Sequence, residues 1–343
     1  VLLGFGLIGA SMLGLANVTG WQPAMGSVSW NALHPVDMGV NVTGITHYGY
    51  GDLFPRARDE DVDLELAALQ RMGVRVVRVF PAFDGISAQE AADRLDRFLT
   101  RAEAYHVSAI VSFVNYYASR QNPPELDPYY SDVWEGIRHL NHDFMARAYR
   151  GAYLDFVRTV VSRNRGHPNV YAWEPGNELQ DPDRQAFLRM MQDVSAEIEQ
   201  LDPGRPVSSG VIQASQAGFT PAELYSQLPS VQVVTIHPGN GYRGSVVDVA
   251  WAIAHGRKAI VEETGISAWD DRADRYGTEL EYWRSRGVSA FLLDGFIAKG
   301  LEDNGNGDTT LGFDALWHTD YDRLAAFVER SSRPWPWQLL RER

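Results

Sequence analysis

The run Arg163-Asn164-Arg165-Gly166-His167-Pro168-Asn169-Val170-Tyr171-Ala172-Trp173-Glu174-Pro175-Gly176-Asn177-Glu178 reads as a complete structural sentence. A helix ends at Arg163, and Gly166 and Pro168 break the chain into a turn. Val170 to Trp173 then form a short apolar strand, and an amide and a carboxylate, Asn177 and Glu178, stand side by side where it stops. Upstream, Phe144 to Arg163 carries apolar residues at helical spacing and is expected to be one amphipathic helix. Downstream, Arg184 to Leu201 has the same spacing and is stopped by Pro203 and Gly204.

The alternation extends in both directions. Strands are expected at Met38–Ile45, Val74–Phe80, Ser108–Asn115, Pro206–Ile212, Val231–His237, Lys258–Thr264 and Val288–Asp294. Helices are expected at Asp59–Met72, closed by Gly73, and at Ala88–Tyr105, Pro221–Leu228, Ser245–Gly256, Asp271–Arg286 and Tyr321–Arg330. Repeated strand-then-helix order is the signature of an α/β fold with a parallel sheet, and eight such units make a (β/α)8 TIM barrel in a single domain over residues 38–330. The segment 118–141, rich in Pro, Tyr and Trp, is expected to be a long substrate-facing loop. Residues 21–37 read as a linker or capping loop and 331–343 as a tail.

Residues Val1 to Ala16 are almost wholly apolar, within a segment 1–20 that reads as an uncleaved membrane anchor, with a signal peptide as the alternative. Gly6, Ala10 and Gly14 would put small side chains on one helical face, so a membrane or membrane-protein partner is expected there, and an extracytoplasmic location, anchored or secreted. A net charge of −13 without clustered Lys or Arg argues against a nucleic-acid partner. The chain has no Cys, so no thiolate metal site and no disulfide framework are available. Glu302 to Asp308 has the composition of a calcium loop but lacks the spacing and the closing Glu of an EF-hand. No cofactor and no metal are expected. The ten Trp, fifteen Tyr and fourteen Phe are enough to supply sugar-stacking platforms as well as core packing.

Arg78 is the odd residue of an otherwise apolar strand, because a buried guanidinium is costly unless carboxylates pair with it. The strand ending Lys258-Ala259-Ile260-Val261-Glu262-Glu263-Thr264-Gly265 finishes in two acids. The Asn177-Glu178 pair, the Glu263-Thr264-Gly265 run and Gly73-Val74-Arg75-Val76-Val77-Arg78-Val79-Phe80 together resemble strands four, seven and two of the clan A retaining glycoside hydrolases, the cellulase- and mannanase-like barrels of glycoside hydrolase family 5. The resemblance implies a retaining β-glycosidase acting on a β-linked carbohydrate of mannan or glucan type by double displacement, with Glu178 as a protonated general acid/base and Glu263 as nucleophile. It implies that Arg78 keeps Glu263 ionised and that Asn177 binds the sugar 2-OH. Further substrate contacts are expected from His47, Asn115, Trp173, His237, Tyr242 and Phe291. Where the family pairs His and Tyr two residues apart, His237 and Tyr242 are five apart, and the eighth strand offers Phe291, Asp294 and Phe296 in place of the family's Trp. Those departures leave a rival: a non-catalytic or sugar-binding accessory subunit of a membrane complex.

Overall fold

In the computed structural model the described residues are 36–42, 59–81, 83, 86–117, 128–134, 137–238, 242–265, 272–293 and 321–332, the side chains of 134, 137, 242, 243 and 321 excepted. Eight parallel strands close into a barrel in the order β1, β2, β3, β6, β7, β8, β9, β10 and back to β1. They are β1 Asp37–Asn41, β2 Val76–Val79, β3 Ser108–Ser112, β6 Val170–Glu174, β7 Val207–Ser208, β8 Val231–Ile236, β9 Lys258–Thr264 and β10 Ala290–Leu293. Helices α1 Asp59–Met72, α2 Ala88–Ala104, α4 Ala152–Asn164, α5 Arg184–Leu201, α6 Pro221–Tyr225, α7 Tyr242–Ala254, α8 Arg272–Arg284 and α9 Tyr321–Ser332 alternate with them. The barrel expected from the strand and helix periodicities is the fold found.

The barrel strands are buried on both faces, and the alternation of side chains divides them into two sets. Outward residues such as Val77, Val111, Trp173, Val234, Val261 and Phe291 join the helices in one large core. Inward, Val76, Ile110, Ala172, Val233, Ile260, Ala290 and Leu292 make a separate apolar plug. Gly39 belongs to the plug's floor: a Cβ there would sit 2.5 Å from Leu292 Cγ and 2.7 Å from the Val76 carbonyl oxygen. One step further along the same strand faces the interior turns polar, with Arg78, Ser112, Glu174, Thr235 and Glu262, all fully buried.

Three expectations are corrected. The predicted helix Phe144–Arg163 is broken into α3 His142–Ala146, a 3-10 turn Ala148–Arg150 and α4. Arg147 (φ −156°) and Gly151 (ψ −116°) leave helical geometry, which brings Phe144 and Tyr153 both onto Phe83, at 6.2 and 5.2 Å between ring centres. The apolar spacing runs unbroken across the interruption through Met145, Tyr149 and Tyr153, which is why periodicity could not detect it. The expected loop 118–141 contains a hairpin, β4 Tyr130–Trp134 paired antiparallel with β5 Ile137–Leu140, and it is fastened to the barrel by Tyr130 Oη donating to the Asn115 carbonyl at 2.5 Å. The fifth barrel strand is two residues long instead of seven, because Gly210 turns left-handed (φ +62°) just beyond it.

Residues 1–35, 43–58 and 333–343 lie outside the described residues, and with them the apolar segment, His47 and the tail. So do Asp294, Phe296 and the acidic run 302–308. Among the described residues no helix is long and apolar enough to cross a membrane.

Candidate active site

Arg78 comes from within the regular strand β2, whereas β6 and β9 deliver their carboxylates to the carboxyl end of the barrel by local departures from regular strand. Beyond β6, Pro175 and Gly176 let the chain swing inward, and Asn177 N–H donates to the Val114 carbonyl at 2.7 Å, bridging to the end of β3. Glu178 then adopts a left-handed backbone (φ +57°), its N–H donating to the Gly210 carbonyl at 2.7 Å. A non-glycine residue in that region costs about 1–3 kcal/mol and persists only where surrounding contacts over-determine it. Gly210 cannot carry a side chain, since a Cβ would lie 2.0 Å from the Gly176 carbonyl oxygen and 2.8 Å from Glu174 Cδ.

On β9 the device is a bulge. Val261 pairs with Phe291 and Thr264 with Leu293, so β9 uses three residues where β10 uses two. Simple alternation would send one of Glu262 and Glu263 outward; the extra residue turns both into the barrel. Thr264 resumes the outward direction and donates to Glu279 Oε2 on α8 at 3.0 Å.

The result is a two-storey charged cluster. In the lower storey Arg78 Nη2 donates to Glu174 Oε1 at 2.5 Å and to Asn177 Oδ1 at 2.7 Å, and lies 3.6 Å from Glu262 Oε2. Ser208 Oγ donates to Glu174 Oε2 at 3.0 Å. In the upper storey His237, at the end of β8, donates from Nδ1 to Glu178 Oε1 at 2.7 Å and lies 3.7 Å from Glu263 Oε2. Arg78 Nη1 reaches up to Glu263 Oε2 at 3.2 Å, and His237 Nε2 reaches down to Glu262 Oε2 at 3.4 Å. A carboxylate oxygen of Glu178 and one of Glu263 lie within 4.8 Å of each other. Glu263 keeps 26% of its side chain open to the mouth, against 12% for Glu178 and none for Glu262.

Burial alone would neutralise these groups, so their charge states depend on which partners outweigh it. Burial opposes the charge on His237, but Glu263, Glu178 and Glu262 together push it up to about 10, making it an imidazolium at neutral pH. Burial likewise opposes ionisation of Glu262, and Arg78 and His237 overcome it, holding Glu262 down at about 2. Glu174 goes the other way, pushed up by burial to about 8 against the pull of Arg78. Glu178 is buried too, yet the hydrogen bond and charge of His237, with a bond from Tyr117, hold it below the usual carboxylate range. Glu263 is raised, by burial first and by the neighbouring Glu178 and Glu262, with His237 and Arg78 only partly offsetting them. The direction at Glu178 runs against the expectation that it is held protonated, because His237 bonds it closely. Arg78 does pull Glu263 down, as expected, but it spends its closest contact on Glu174, and burial and the neighbouring acids outweigh it.

The structure brings together Glu178, Glu263, Asn177, Arg78, His237 and Asn115, whose Oδ1 accepts from Asn177 Nδ2 at 3.2 Å. Trp173 and Phe291 are corrected. Both point outward and are fully buried; Trp173 stacks on Phe113 at 5.7 Å and donates from Nε1 to Asp202 at 2.9 Å, so neither faces the mouth. The side chain of Tyr242 lies outside the described residues. Sequence reasoning missed Glu174 as a partner of Arg78, although a lone acid in an apolar strand, four residues before Glu178, was the same kind of signal as Arg78. It also gave Tyr117 no role. Glu178, His237 and Glu263 have the bare spacing of a cation site, but the imidazolium already supplies positive charge between the two carboxylates, so the cluster reads as an ion-paired triad. Beside it, a side cleft of about 490 Å³ opens between the hairpin and the loops after β6 and β7, lined by Tyr116, Asp132, His139, Asp181, Arg184 and Gln216 among others.

No family model matches the chain. Among curated proteins it is similar to the probable mannan endo-1,4-beta-mannosidase A of Aspergillus niger, 25% identical over 191 residues, 49% of this chain and 48% of that protein. It is 23% identical over 326 residues to the probable mannan endo-1,4-beta-mannosidase A-1 of Aspergillus terreus, 80% of this chain and 81% of that protein. The chain thus spans about half the length of the first relative and most of the second. Among solved structures, the endo-beta-1,4-mannanase from Thermotoga petrophila matches with a TM-score of 0.64 at 16% identity, over 87% of this chain and 76% of that one. The endo-1,4-beta-mannanase from Rhizomucor miehei matches with a TM-score of 0.65 at 14% identity, over 87% and 94%. These likenesses place the chain in the (β/α)8 fold of those enzymes.

Proposed function

We propose that the chain is a retaining β-glycoside hydrolase that cleaves β-1,4-linked mannan. The observation that carries this reading is the approach of the Glu178 and Glu263 carboxylates to within 4.8 Å at one barrel mouth. Retaining glycosidases hold their two carboxyl groups about 5–5.5 Å apart, so that one attacks the anomeric carbon while the other serves the leaving oxygen; inverting enzymes leave about 6.5–9.5 Å for a water. The mannan-cleaving relatives point to the substrate. A polymer that does not cross membranes, together with the apolar residues 1–16, supports action outside the cytoplasm, from a secreted or anchored protein.

Glu263 attacks the anomeric carbon, the bond from that carbon to the bridging oxygen breaks, and the oxygen takes a proton from Glu178. That proton is stored on His237 in the free site and crosses the 2.7 Å bond from Nδ1 to Glu178 Oε1 as the leaving oxygen draws on it. His237 is then neutral, Glu178 a carboxylate, and Glu263 esterified to the sugar. In the second step Glu178 takes a proton from water, the hydroxyl displaces Glu263 at the same carbon, and the proton returns to His237. Asn177 is fixed by Arg78 and Asn115, which sets its amide for the sugar 2-OH, and Asn115 and His237 hold the walls of the same subsite. His47 and Tyr242 remain proposed substrate contacts on the resemblance alone.

The test is hydrolysis of β-mannan, with β-glucan beside it, followed by proton NMR of the first product. A β-configured product from mannan, with turnover reduced roughly 10²–10⁴-fold in Glu178→Gln and to background in Glu263→Gln, is the expected result. An α-configured first product, or no cleavage of either polymer by the wild-type chain, overturns the reading.

A further inference from the structure

Glu174 takes no part in either displacement step, yet the fold is built around it. Its carboxyl is fully buried and accepts from Arg78 and from Ser208, and Arg78 Nη2 holds it beside the carboxyl of Glu262, at 2.5 Å from the one and 3.6 Å from the other. Gly210 is kept free of a side chain partly because a Cβ would strike Glu174. Across the contact, Glu262 Oε1 is buried and meets no N–H or O–H donor among the described residues. Two carboxyl groups can hydrogen-bond to each other only if one of them carries a proton.

The charges require the same thing. Arg78 faces Glu174 at 2.5 Å, Glu262 at 3.6 Å and Glu263 at 3.2 Å, so a single guanidinium meets three carboxyl groups. His237 is already engaged by Glu178, Glu262 and Glu263. Two buried acids crowded on one side of a shared cation do not readily both ionise; one keeps its proton. Glu262 is reached by both cations and Glu174 by Arg78 alone, so the proton belongs on Glu174.

We propose that Glu174 is a positioning residue, the neutral acid of a pair sharing one proton with Glu262. In that state Glu262 remains a carboxylate that orients His237, and Arg78 keeps an N–H for Glu263. Burial raising Glu174 to about 8 while Glu262 is held at about 2 agrees with this order. The charged and titratable groups acting on Glu174 are Arg78 on β2, Glu262 on β9 and Tyr153 on α4, whose hydroxyl donates to the Pro175 carbonyl; Glu263, His237 and Glu178 are linked to it through Arg78 and Glu262. Losing the shared proton puts a third full negative charge against Arg78, on the β6 side, and draws the guanidinium away from Glu263.

The experiment is infrared spectroscopy of the full chain in D2O from pH 5 to 10, comparing wild type with Glu174→Gln, whose amide has the shape and donor of the neutral acid. The expected result is a protonated-carboxyl carbonyl band at neutral pH that fades around pH 8 and is missing from the Glu174→Gln difference spectrum. A band that survives unchanged in Glu174→Gln, the absence of any such band, or failure of Glu174→Gln to fold overturns the proposal. These readouts need no substrate, so they stand or fall apart from the glycosidase reading. A second arm rests on that reading: Glu174→Ala lowers kcat with KM little moved, Glu174→Gln restores most of the loss, and the alkaline limb of the pH profile moves upward in Glu174→Gln. Equal losses in the two variants with an unmoved alkaline limb count against a neutral acid at this position.

Discussion

The barrel interior holds two layers only two residues apart along each strand, and they are opposites. Val76, Ile110, Ala172, Val233 and Ile260 fill the lower layer with hydrocarbon; Arg78, Ser112, Glu174, Thr235 and Glu262 fill the upper one with charge and hydroxyl. Both are sealed from solvent, so burial does not distinguish them. The lower layer is stabilised by burial itself, at about 1.5–3 kcal/mol for each large apolar side chain. The upper layer is held against the cost of burial by mutual pairing, and a paired layer fails as a unit when one partner is removed. Stability comes from the first, and the reactive charge states of Glu178 and Glu263 from the second.

The largest expected effect follows from removing the upper layer's shared cation. Arg78→Met leaves Glu174, Glu262 and Glu263 without their common partner, and the loss should be about 3–5 kcal/mol of unfolding free energy, as for one half of a buried ion pair. Chemical denaturation measures it, and mannan cleavage should vanish with it. Ile110→Ala, one layer down, should cost about 2–5 kcal/mol through its cavity while leaving kcat nearly unchanged. If the two variants lose activity in the same proportion, the layers are not functionally separate.

The second contrast is in pH. His237 and Glu174 are raised in the folded chain from ordinary values of 6.5 and 4.5 to about 10 and about 8. Between each ordinary value and its folded value the native state binds more protons than the unfolded one, so their contributions are full at low pH and decline as pH rises, from about 4.5 to 8 for Glu174 and from 6.5 to 10 for His237. Glu262, depressed to about 2, contributes above 4.5 and loses that contribution as the pH falls. Stability should therefore decrease steadily from pH 6.5 to 10, and His237→Gln should start lower and decline less. A flat or rising wild-type curve over that interval contradicts the imidazolium assignment. An apolar-layer variant such as Ile110→Ala should shift the whole curve down without changing its shape.

What the sequence revealed follows the same division. Periodicity exposes apolar faces, so the strands and most helices were legible, and Glu178 and Glu263 stood out as acids at strand ends. Periodicity does not expose backbone exceptions. The β9 bulge that turns both Glu262 and Glu263 inward leaves no mark in residue type, and neither does the break at Arg147 between α3 and α4. Charge states were less legible still. Arg78 announced a need for carboxylates, but which acid took its closest bond depended on three-dimensional distances that placed Glu174 first. Trp173 was misread for a related reason: an aromatic ring near a catalytic strand end suggests a sugar platform, and only the parity of β6 shows that Ala172 and Glu174 face inward while Trp173 faces the helices.

That parity gives the smallest and most selective test. Trp173→Phe keeps a ring to stack on Phe113 but removes the Nε1–H donor to Asp202, a single bond worth about 0.5–1.5 kcal/mol, plus a small packing defect. Asp202 retains Arg205 at 3.6 Å, which limits the penalty of leaving its carboxylate short of a donor. A sugar-stacking Trp should behave differently, because shrinking its face weakens every bound state of the substrate and raises KM with little loss of stability. The expected result is a modest drop in thermal midpoint with KM for mannan unchanged. A raised KM at unchanged midpoint would put Trp173 at the mouth and shift β6 by one residue. That shift would carry Glu174 outward as well and separate it from Arg78, so this mild substitution tests the register on which the buried acid pair depends.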